Sequence, residues 1–168
     1  PAAKLRPGMT VADIGTGTGL FTRMFARAVG PMGKVYAVDI APAFVKHAED
    51  SARKENLQNV VGVLAKPDSV ELPAASIDLA YICDTYHHFE FPEKTMRSLH
   101  RALKPGGQVV LVDYRRIEGQ SSQWALGHIR AGQEVFEREI ESCGFKKVEE
   151  KPDLLKESYF VRFEKVAH

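Results

Sequence analysis

The sequence predicts an α/β domain with a doubly wound, seven-stranded and mostly parallel sheet that ends in an antiparallel strand pair. Three observations support this fold class. Strand-like apolar runs alternate with helical patterns, glycine and proline separate them, and the last two strand patterns follow each other without a helix between them. We therefore expect residues 1–168 to form a single domain.

The alternation of strands and helices begins with the run MTVADIG, which is typical of a buried strand. Residues 20–29 carry two neighbouring apolar lines at helical spacing, formed by Leu20, Met24 and Ala28 and by Phe21, Phe25 and Val29. KVYAVDI is the second predicted strand. A second helix begins near Pro42, because proline suits a first helical turn.

The remaining elements follow the same rules. VVGVL and IDLAYIC predict strands three and four, and residues 92–103 predict a helix that KPGG ends before the fifth strand, QVVLVDY. One more helical pattern ends at Gly144. FKKVEE and SYFVRFEKV then predict two strands that pair antiparallel, since no crossover helix separates them.

Composition excludes several classes of protein. The formal net charge of +1 predicts no extended binding of nucleic acid or of an anionic membrane. The two cysteines, Cys83 and Cys143, predict neither a disulfide framework nor a paired metal site. No run of about 18 apolar residues and no signal-peptide pattern occurs, so we expect a cytoplasmic protein.

A glycine-rich loop follows the first predicted strand, in the stretch DIGTGTG. Gly15, Gly17 and Gly19 would allow a sharp turn and a close approach of a ligand to the backbone. Asp39 ends the second strand, 24 residues beyond Gly15, where a carboxylate can accept hydrogen bonds from both hydroxyls of a ribose. Both features lie at the carboxyl ends of predicted strands, which is where ligands bind in a doubly wound sheet.

The glycine spacing distinguishes two nucleotide cofactors. A dinucleotide fingerprint has a small residue at its sixth position, where this chain has Leu20. The pattern acidic-x-G-x-G-x-G instead resembles the cofactor loop of class I S-adenosylmethionine-dependent methyltransferases, in a domain similar to methyltransferase type 11. VYAVDI, LPAASIDLAYICD and LKPGGQVVLVD resemble further motifs of that family, in the same order. The resemblance implies a Rossmann-like fold and S-adenosylmethionine as methyl donor, with S-adenosylhomocysteine as product.

The resemblance also implies a cofactor-binding role for particular residues. The loop would run along the methionine part of the donor at Gly15, Thr16 and Gly17. Asp13 would either hold this loop or bind the ammonium group of the donor through a water molecule. Gly19 would complete the loop.

At the nucleoside end, the resemblance implies that Asp39 binds the ribose diol and that Ile40 lies against the adenine. Asp68, helped by Ser69, is the candidate for the adenine amino group, although Lys66 stands where an acid is expected. After strand four, Cys83 would offer its backbone carbonyl and Asp84 would face the methionine end.

The stretch CDTYHH after the fourth strand supplies the candidate catalytic residues. His88 or His87, before Tyr86, would orient or deprotonate an acceptor, because histidine titrates near neutral pH. A metal site is not predicted, since adjacent histidines at such a turn rarely converge on one ion and no CxxC or HxxxH partner supports them.

The acceptor is expected to be a small molecule. The Pro-Pro-aromatic motif of enzymes that methylate exocyclic base nitrogens does not follow Asp84. The segment YRRIEGQSSQWALGHIRAG is a candidate lid. Within it, Arg115 and Arg116 either bind an acidic acceptor or are solvated, and Trp124 is either an acceptor wall or a core anchor.

Two rival functions stay open at this point. One is a non-catalytic subunit that binds S-adenosylmethionine and acts through a partner. The other is an NAD-dependent reductase, which Leu20 and the lack of a Tyr-x-x-x-Lys pair disfavour. A homodimer is one expected assembly. Because the family usually carries a helical segment before the first strand, we expect such a segment to be missing ahead of Pro1.

Overall fold

The computed structural model describes residues 2–167, and a single seven-stranded sheet organises them in the order β3-β2-β1-β4-β5-β7-β6. Strands β1 to β5 are parallel, whereas β7 runs antiparallel to both β5 and β6. The strands are β1 (Thr10–Ile14), β2 (Lys34–Asp39), β3 (Val60–Leu64), β4 (Ile77–Cys83), β5 (Leu103–Tyr114), β6 (Phe145–Glu150) and β7 (Ser158–Lys165). This topology confirms the doubly wound sheet with an antiparallel end.

Among residues 2–167, five α-helices connect or cover the strands. They are α1 (Leu20–Val29), α2 (Pro42–Lys54), α3 (Pro92–Ala102), α4 (Gln123–His128) and α5 (Gln133–Ser142), and a short 3₁₀ helix spans Tyr86–His88. Within the described part of the chain, none of these helices is long and apolar enough to cross a membrane.

Two apolar cores lie on opposite faces of the sheet, because successive residues of a strand point to opposite sides. Val11 of β1 and Leu79 of β4 belong to the core that covers Phe25 of α1. Their neighbours Ala12 and Ala80 belong to the other core, which contains residues of α3 and α5. Both faces of the central strands are therefore covered, and the edge formed by their carboxyl ends remains for a site.

Helix α1 buries a narrower stripe than the sequence pattern predicts. Phe25 and Val29 pack into the core, but Leu20 and Met24 are 54% and 52% exposed. A helix that rests on one face of a sheet buries only the side chains directed at that face. The apolar line through Leu20 and Met24 therefore lies on the surface.

Helix α3 ends just before KPGG, as predicted, and KPGG itself forms a bulge within β5 rather than a separate turn. Strand β5 begins at Leu103, which pairs with Ile77, and pairing resumes between Gln108 and Leu79. The register shift places residues 104–107 outside the regular ladder, where proline and a glycine with positive φ are tolerated. Helix α4, which the sequence pattern did not predict, lies in the candidate lid.

Candidate functional site

A cavity of about 450 Å³ lies at the carboxyl ends of β1, β2 and β3. Another cavity, of about 540 Å³, lies near the opposite edge around Lys104 and Arg162. Ligands of doubly wound sheets bind outside the carboxyl ends of the strands, so the first cavity is the candidate site. Its lining includes the predicted site residues Gly15, Gly17, Asp39, Ile40, Ser69 and His88.

The glycine loop shapes one wall of this cavity. Gly15 and Gly17 both have positive φ, at 75° and 53°, a conformation that glycine adopts without steric cost. A Cβ atom on Gly15 would collide with the side chain of Thr85, whereas one on Gly17 would meet no protein atom within 4 Å. Gly17 therefore leaves its backbone open to a ligand, and Gly15 allows the loop after β4 to approach.

Gly19 serves helix packing instead. It is the N-cap of α1, and a Cβ atom there would lie 3.2 Å from the Cα atom of Ala48 in α2. The third glycine of the motif therefore lets the first two helices come close together.

Asp39 ties the loop to the start of α2. Its Oδ2 atom accepts a hydrogen bond from the amide of Gly17 at 3.1 Å, and its Oδ1 atom accepts one from the amide of Ala41 at 3.0 Å. A carboxylate has further lone pairs, so the same oxygens can also accept from ligand hydroxyls. Ile40 is 64% exposed beside it and offers an apolar wall.

Asp13 supports the glycine loop from behind. The Thr22 hydroxyl donates to its carboxylate at 2.7 Å, and the Thr16 hydroxyl lies 2.7 Å from that of Thr22. All three residues are buried, and burial raises the pKa of Asp13 to about 6. These contacts correspond to the loop-holding role rather than to a ligand contact, and they direct the Thr16 side chain into the loop.

The loop after β3 brings Ser69 to the cavity, together with Lys66 and Pro67. Asp68, the residue expected near an adenine amino group, lies on the same loop but not in the cavity lining. A backbone bridge between Lys66 and Ser69 closes this tight turn. The sequence position of an acid in a short turn does not determine the direction of its side chain.

The end of β4 is held by one local hydrogen bond and by one to the neighbouring strand β5. The Thr85 hydroxyl donates to the carbonyl of Cys83 at 2.8 Å, and the amide of Asp84 donates to the carbonyl of Val112 at 2.9 Å. Asp84 has a φ of 54°, which is uncommon for a residue other than glycine. Burial raises the pKa of the Cys83 thiol to about 12, so this thiol is neutral at physiological pH.

The three consecutive residues of the 3₁₀ helix point into different surroundings. Tyr86 is fully buried, and its hydroxyl donates to Oε2 of Glu139 at 2.9 Å. This placement corrects the expectation that Tyr86 faces an acceptor, because its ring is buried and its hydroxyl is already bonded to Glu139. His87 is also buried, whereas His88 is exposed and lines the cavity.

His87 is paired with Asp113, a residue that the sequence analysis missed. Its Nδ1 atom lies 2.8 Å from Oδ1 of Asp113, and its amide donates to Oδ2 at 3.2 Å. The amide of Tyr114 supplies a third hydrogen bond at 2.7 Å, so the fully buried carboxylate is well satisfied. The available signal was the single acid that follows the apolar run VVLV at the end of β5.

A third histidine, His128 of α4, lies beside His87 and His88. Ligand nitrogens of the three side chains lie within 4.8 Å of one another, which the sequence analysis did not foresee. Burial and the neighbouring imidazoles lower the pKa of His88, which favours its neutral form. His128 lies 40 residues beyond His88, and no sequence spacing typical of a metal site connects the two.

The side chains expected to bind the acceptor have other partners. Arg116 donates to the carbonyls of Ile129 and Leu126, at 2.9 and 3.2 Å, and so secures the end of α4. Arg115 donates to the carbonyl of Pro152. Neither arginine lines the 450 Å³ cavity, because both guanidinium groups are held by backbone carbonyls.

Trp124 is 53% exposed and is not the core anchor of the lid. Its ring stacks on that of His128, with centroids 4.7 Å apart and planes inclined by 19°. The buried residues Ala125 and Ile129 attach α4 and its end to the core instead.

Comparison with known proteins gives one family match, the Methyltransferase domain, over residues 12–111. The ubiquinone/menaquinone biosynthesis C-methyltransferase UbiE of Escherichia fergusonii is 33% identical over 113 residues, which are 67% of this chain and 45% of that protein. UbiE of Hydrogenovibrio crunogenus is 30% identical over 114 residues, with the same coverage. The matched stretch thus spans less than half the length of these relatives.

Solved structures share the whole architecture. A SAM-dependent methyltransferase from Aquifex aeolicus superposes with a TM-score of 0.89 at 25% identity, covering 98% of this chain and 86% of that one. The [4+2]-cyclase SpnF reaches a TM-score of 0.82 at 17% identity, covering 98% and 77%. The second likeness concerns the fold alone.

Proposed function

Because this chain belongs to the class I S-adenosylmethionine-dependent methyltransferase family, we propose that it transfers a methyl group from S-adenosylmethionine to a small-molecule acceptor. The observation that carries this proposal is the meeting of Gly17 and Asp39 at one cavity. An open backbone and a carboxylate adjoin there at the carboxyl edge of the sheet.

The cavity fits the donor in both size and chemistry. Its volume of about 450 Å³ is within the range of small-molecule sites, roughly 300–1,000 Å³. We assign Asp39 to the ribose diol, and Ile40 and Phe44 to the faces of the adenine, because both apolar side chains line the cavity. We assign Ser69, a polar residue of the loop after β3 that lines the cavity, to the adenine edge.

The methionine part of the donor is assigned to the opposite end of the cavity. Gly17 leaves room along the loop, and Thr85 of the loop after β4 packs against Gly15. We assign the backbone of Cys83 and Asp84 to the same methionine end of the cavity, because these residues connect β4 to the loop that carries Thr85. Asp13 acts here through the loop that it supports.

The chemistry requires little of the protein beyond positioning. When bound, the donor supplies a sulfonium methyl that is already activated for in-line displacement. Holding the acceptor behind this group supplies much of the rate enhancement. His88 is the candidate to orient the acceptor, because it is the one residue of the 3₁₀ helix that lines the cavity.

A small acceptor is supported by two features of the sequence. The net charge of +1 provides no extended positive surface for nucleic acid. The motif that grips exocyclic base nitrogens is not present after Asp84. The acceptor of the UbiE relatives is not carried over to this chain, because the match spans less than half of their length and the family match ends at residue 111, before the candidate lid.

Calorimetry tests the donor assignment most directly. We expect S-adenosylmethionine and S-adenosylhomocysteine to bind with one site per chain, and NAD⁺ and NADH not to bind. Binding of NADH alone would overturn the proposal in favour of a reductase.

Transfer is tested by incubating the protein with methyl-labelled donor and fractionated metabolite extract. We expect label in a small-molecule fraction. Donor binding without label in any fraction, with or without added macromolecules, would favour a non-catalytic subunit.

A further inference from the structure

Three histidines converge where the candidate lid meets the cavity. The ring centroids of His87 and His88 are 4.1 Å apart, and that of His128 lies 5.6 and 5.3 Å from them. Their ligand nitrogens already lie within 4.8 Å of one another. Nitrogens that share one zinc ion at a bond length of about 2.0–2.1 Å are separated by roughly 3.3 Å. Binding one ion would therefore require the nitrogens to move closer together by up to about 1.5 Å.

His87 is oriented as a metal ligand would be. An ionised carboxylate can only accept hydrogen bonds, so the contact with Asp113 places the proton of the neutral ring on Nδ1. The lone pair of Nε2 is then available on the other side of the ring. A carboxylate behind a histidine fixes its tautomer and raises its basicity, which is the usual arrangement around protein-bound zinc.

The other two rings have nitrogen atoms to spare. Among residues 2–167, neither His88 nor His128 forms a hydrogen bond through its ring. The stack with Trp124 restrains His128, and Tyr114 packs edge-on against Trp124 at 5.1 Å. Aromatic packing alone would orient these rings, but it does not account for the convergence of three nitrogen donors with a buried carboxylate behind one of them.

We propose that His87, His88 and His128 bind one divalent transition-metal ion, with Zn²⁺ as the best-suited representative. Imidazole donors favour Zn²⁺ and its transition-metal neighbours over Mg²⁺ or Ca²⁺. Three protein ligands leave at least one coordination position open, as in catalytic zinc sites. His88 also lines the donor cavity, so the ion lies at the boundary between that cavity and α4.

The open position suits an anionic oxygen or sulfur ligand. Assigning this position to the methyl acceptor rests on the proposed function, whereas binding of the metal does not. The segment carrying His128 lies outside residues 12–111, the stretch matched by the family model, so the third ligand is not part of the matched motifs.

The test is a titration of chelator-treated protein with Zn²⁺ in competition with a chromophoric chelator. We expect one equivalent to bind, and an affinity at least 100-fold weaker in His128→Ala and in His88→Ala. His47→Ala is the matched control, because His47 is exposed on α2, outside the cluster, and should leave the affinity unchanged. Asp113→Asn should weaken binding by 10- to 100-fold, acting as a positioning residue.

X-ray absorption of the zinc-loaded protein provides an independent measurement, with histidine nitrogens expected at about 2.0–2.1 Å. No stoichiometric Zn²⁺ binding, or unchanged affinity in His128→Ala, would overturn the proposal and leave a ring stack that docks α4. Calorimetry with S-adenosylhomocysteine on the same samples separates the two proposals. Loss of zinc binding in a variant that retains the donor concerns the metal site alone.

Discussion

The Nδ1 atom of His87 lies 2.8 Å from Oδ1 of Asp113, and both side chains are buried. The contact joins the loop after β4 to the end of β5 across 26 residues of sequence. It holds the 3₁₀ helix in the position that directs Tyr86 into the core and His88 toward the cavity. The orientation of the candidate site therefore depends on a buried carboxylate outside the cavity lining.

Replacing Asp113 with alanine should lower the free energy of unfolding by about 3 kcal/mol, because buried donors left without an acceptor cost roughly 1–3 kcal/mol each. The donors are Nδ1 and the amide of His87 and the amide of Tyr114. Urea denaturation measures the change. Asp153→Ala, at an exposed turn, is the control and should be neutral. Equal midpoints for the two variants would contradict the structural role of Asp113.

Replacing Asp39 with alanine should weaken binding of S-adenosylhomocysteine at least tenfold, since hydrogen bonds to a charged group contribute about 1.5–3 kcal/mol. The variant also loses the support that Asp39 gives to the amide of Gly17. Calorimetry measures affinity, and thermal melting verifies the fold. Asp50→Ala removes a partly exposed carboxylate of α2 that pairs with Lys46 and Arg53 outside the cavity, and this variant should bind normally. An unchanged dissociation constant in folded Asp39→Ala would contradict the ribose assignment.

Gly17→Ala should reduce donor affinity more than it reduces stability. A left-handed conformation costs a residue with Cβ about 1–2 kcal/mol, while the added atom meets no protein atom and occupies the side of the loop that lines the cavity. Gly106→Ala is the matched control, because Gly106 also has positive φ and open surroundings but lies in the β5 bulge. We expect both variants to melt at similar, lowered temperatures, with weakened donor binding in Gly17→Ala alone. The same affinity in both would locate the donor elsewhere.

Asp13 should make the stability of the protein depend on pH between about 4 and 6. Burial raises its pKa from 3.8 to about 6, so the folded state holds the proton more tightly than the unfolded chain does. The protonated carboxyl of Asp13 therefore adds to the free energy of unfolding. This stabilisation is fully present below the pKa of Asp13 in the unfolded chain and is lost as the pH rises through its pKa in the folded protein. A shift of two pKa units corresponds to about 3 kcal/mol.

Asp13→Asn removes this titration while keeping an oxygen for the Thr22 hydroxyl. The variant should gain stability relative to the parent as pH rises from 4 to 7, measured by urea denaturation at each pH. The free energy of unfolding of the control Asp153→Asn should change with pH in the same way as that of the parent. A constant difference between Asp13→Asn and the parent would show that the carboxyl does not titrate in this window.

Local patterns in the sequence determined the order of strands and helices, the parallel sheet and the glycine loop. Such patterns are readable because strand and helix periodicities place side chains on a face regardless of the rest of the chain. Asp39 was found for the same reason, since the end of a parallel strand falls at the ligand edge of the sheet. The antiparallel pair was also predicted. That β7 lies between β5 and β6 in the sheet was learned only from the structure.

Only the tertiary structure decided what each side chain of Tyr86, His87 and His88 faces. Their consecutive positions make them equivalent in sequence, but a 3₁₀ helix turns each about a third of a circle from the last. The partners that distinguish them, Asp113 and His128, come from distant segments. Contacts of this kind depend on the path of the chain through three dimensions, which periodicity along the sequence does not encode.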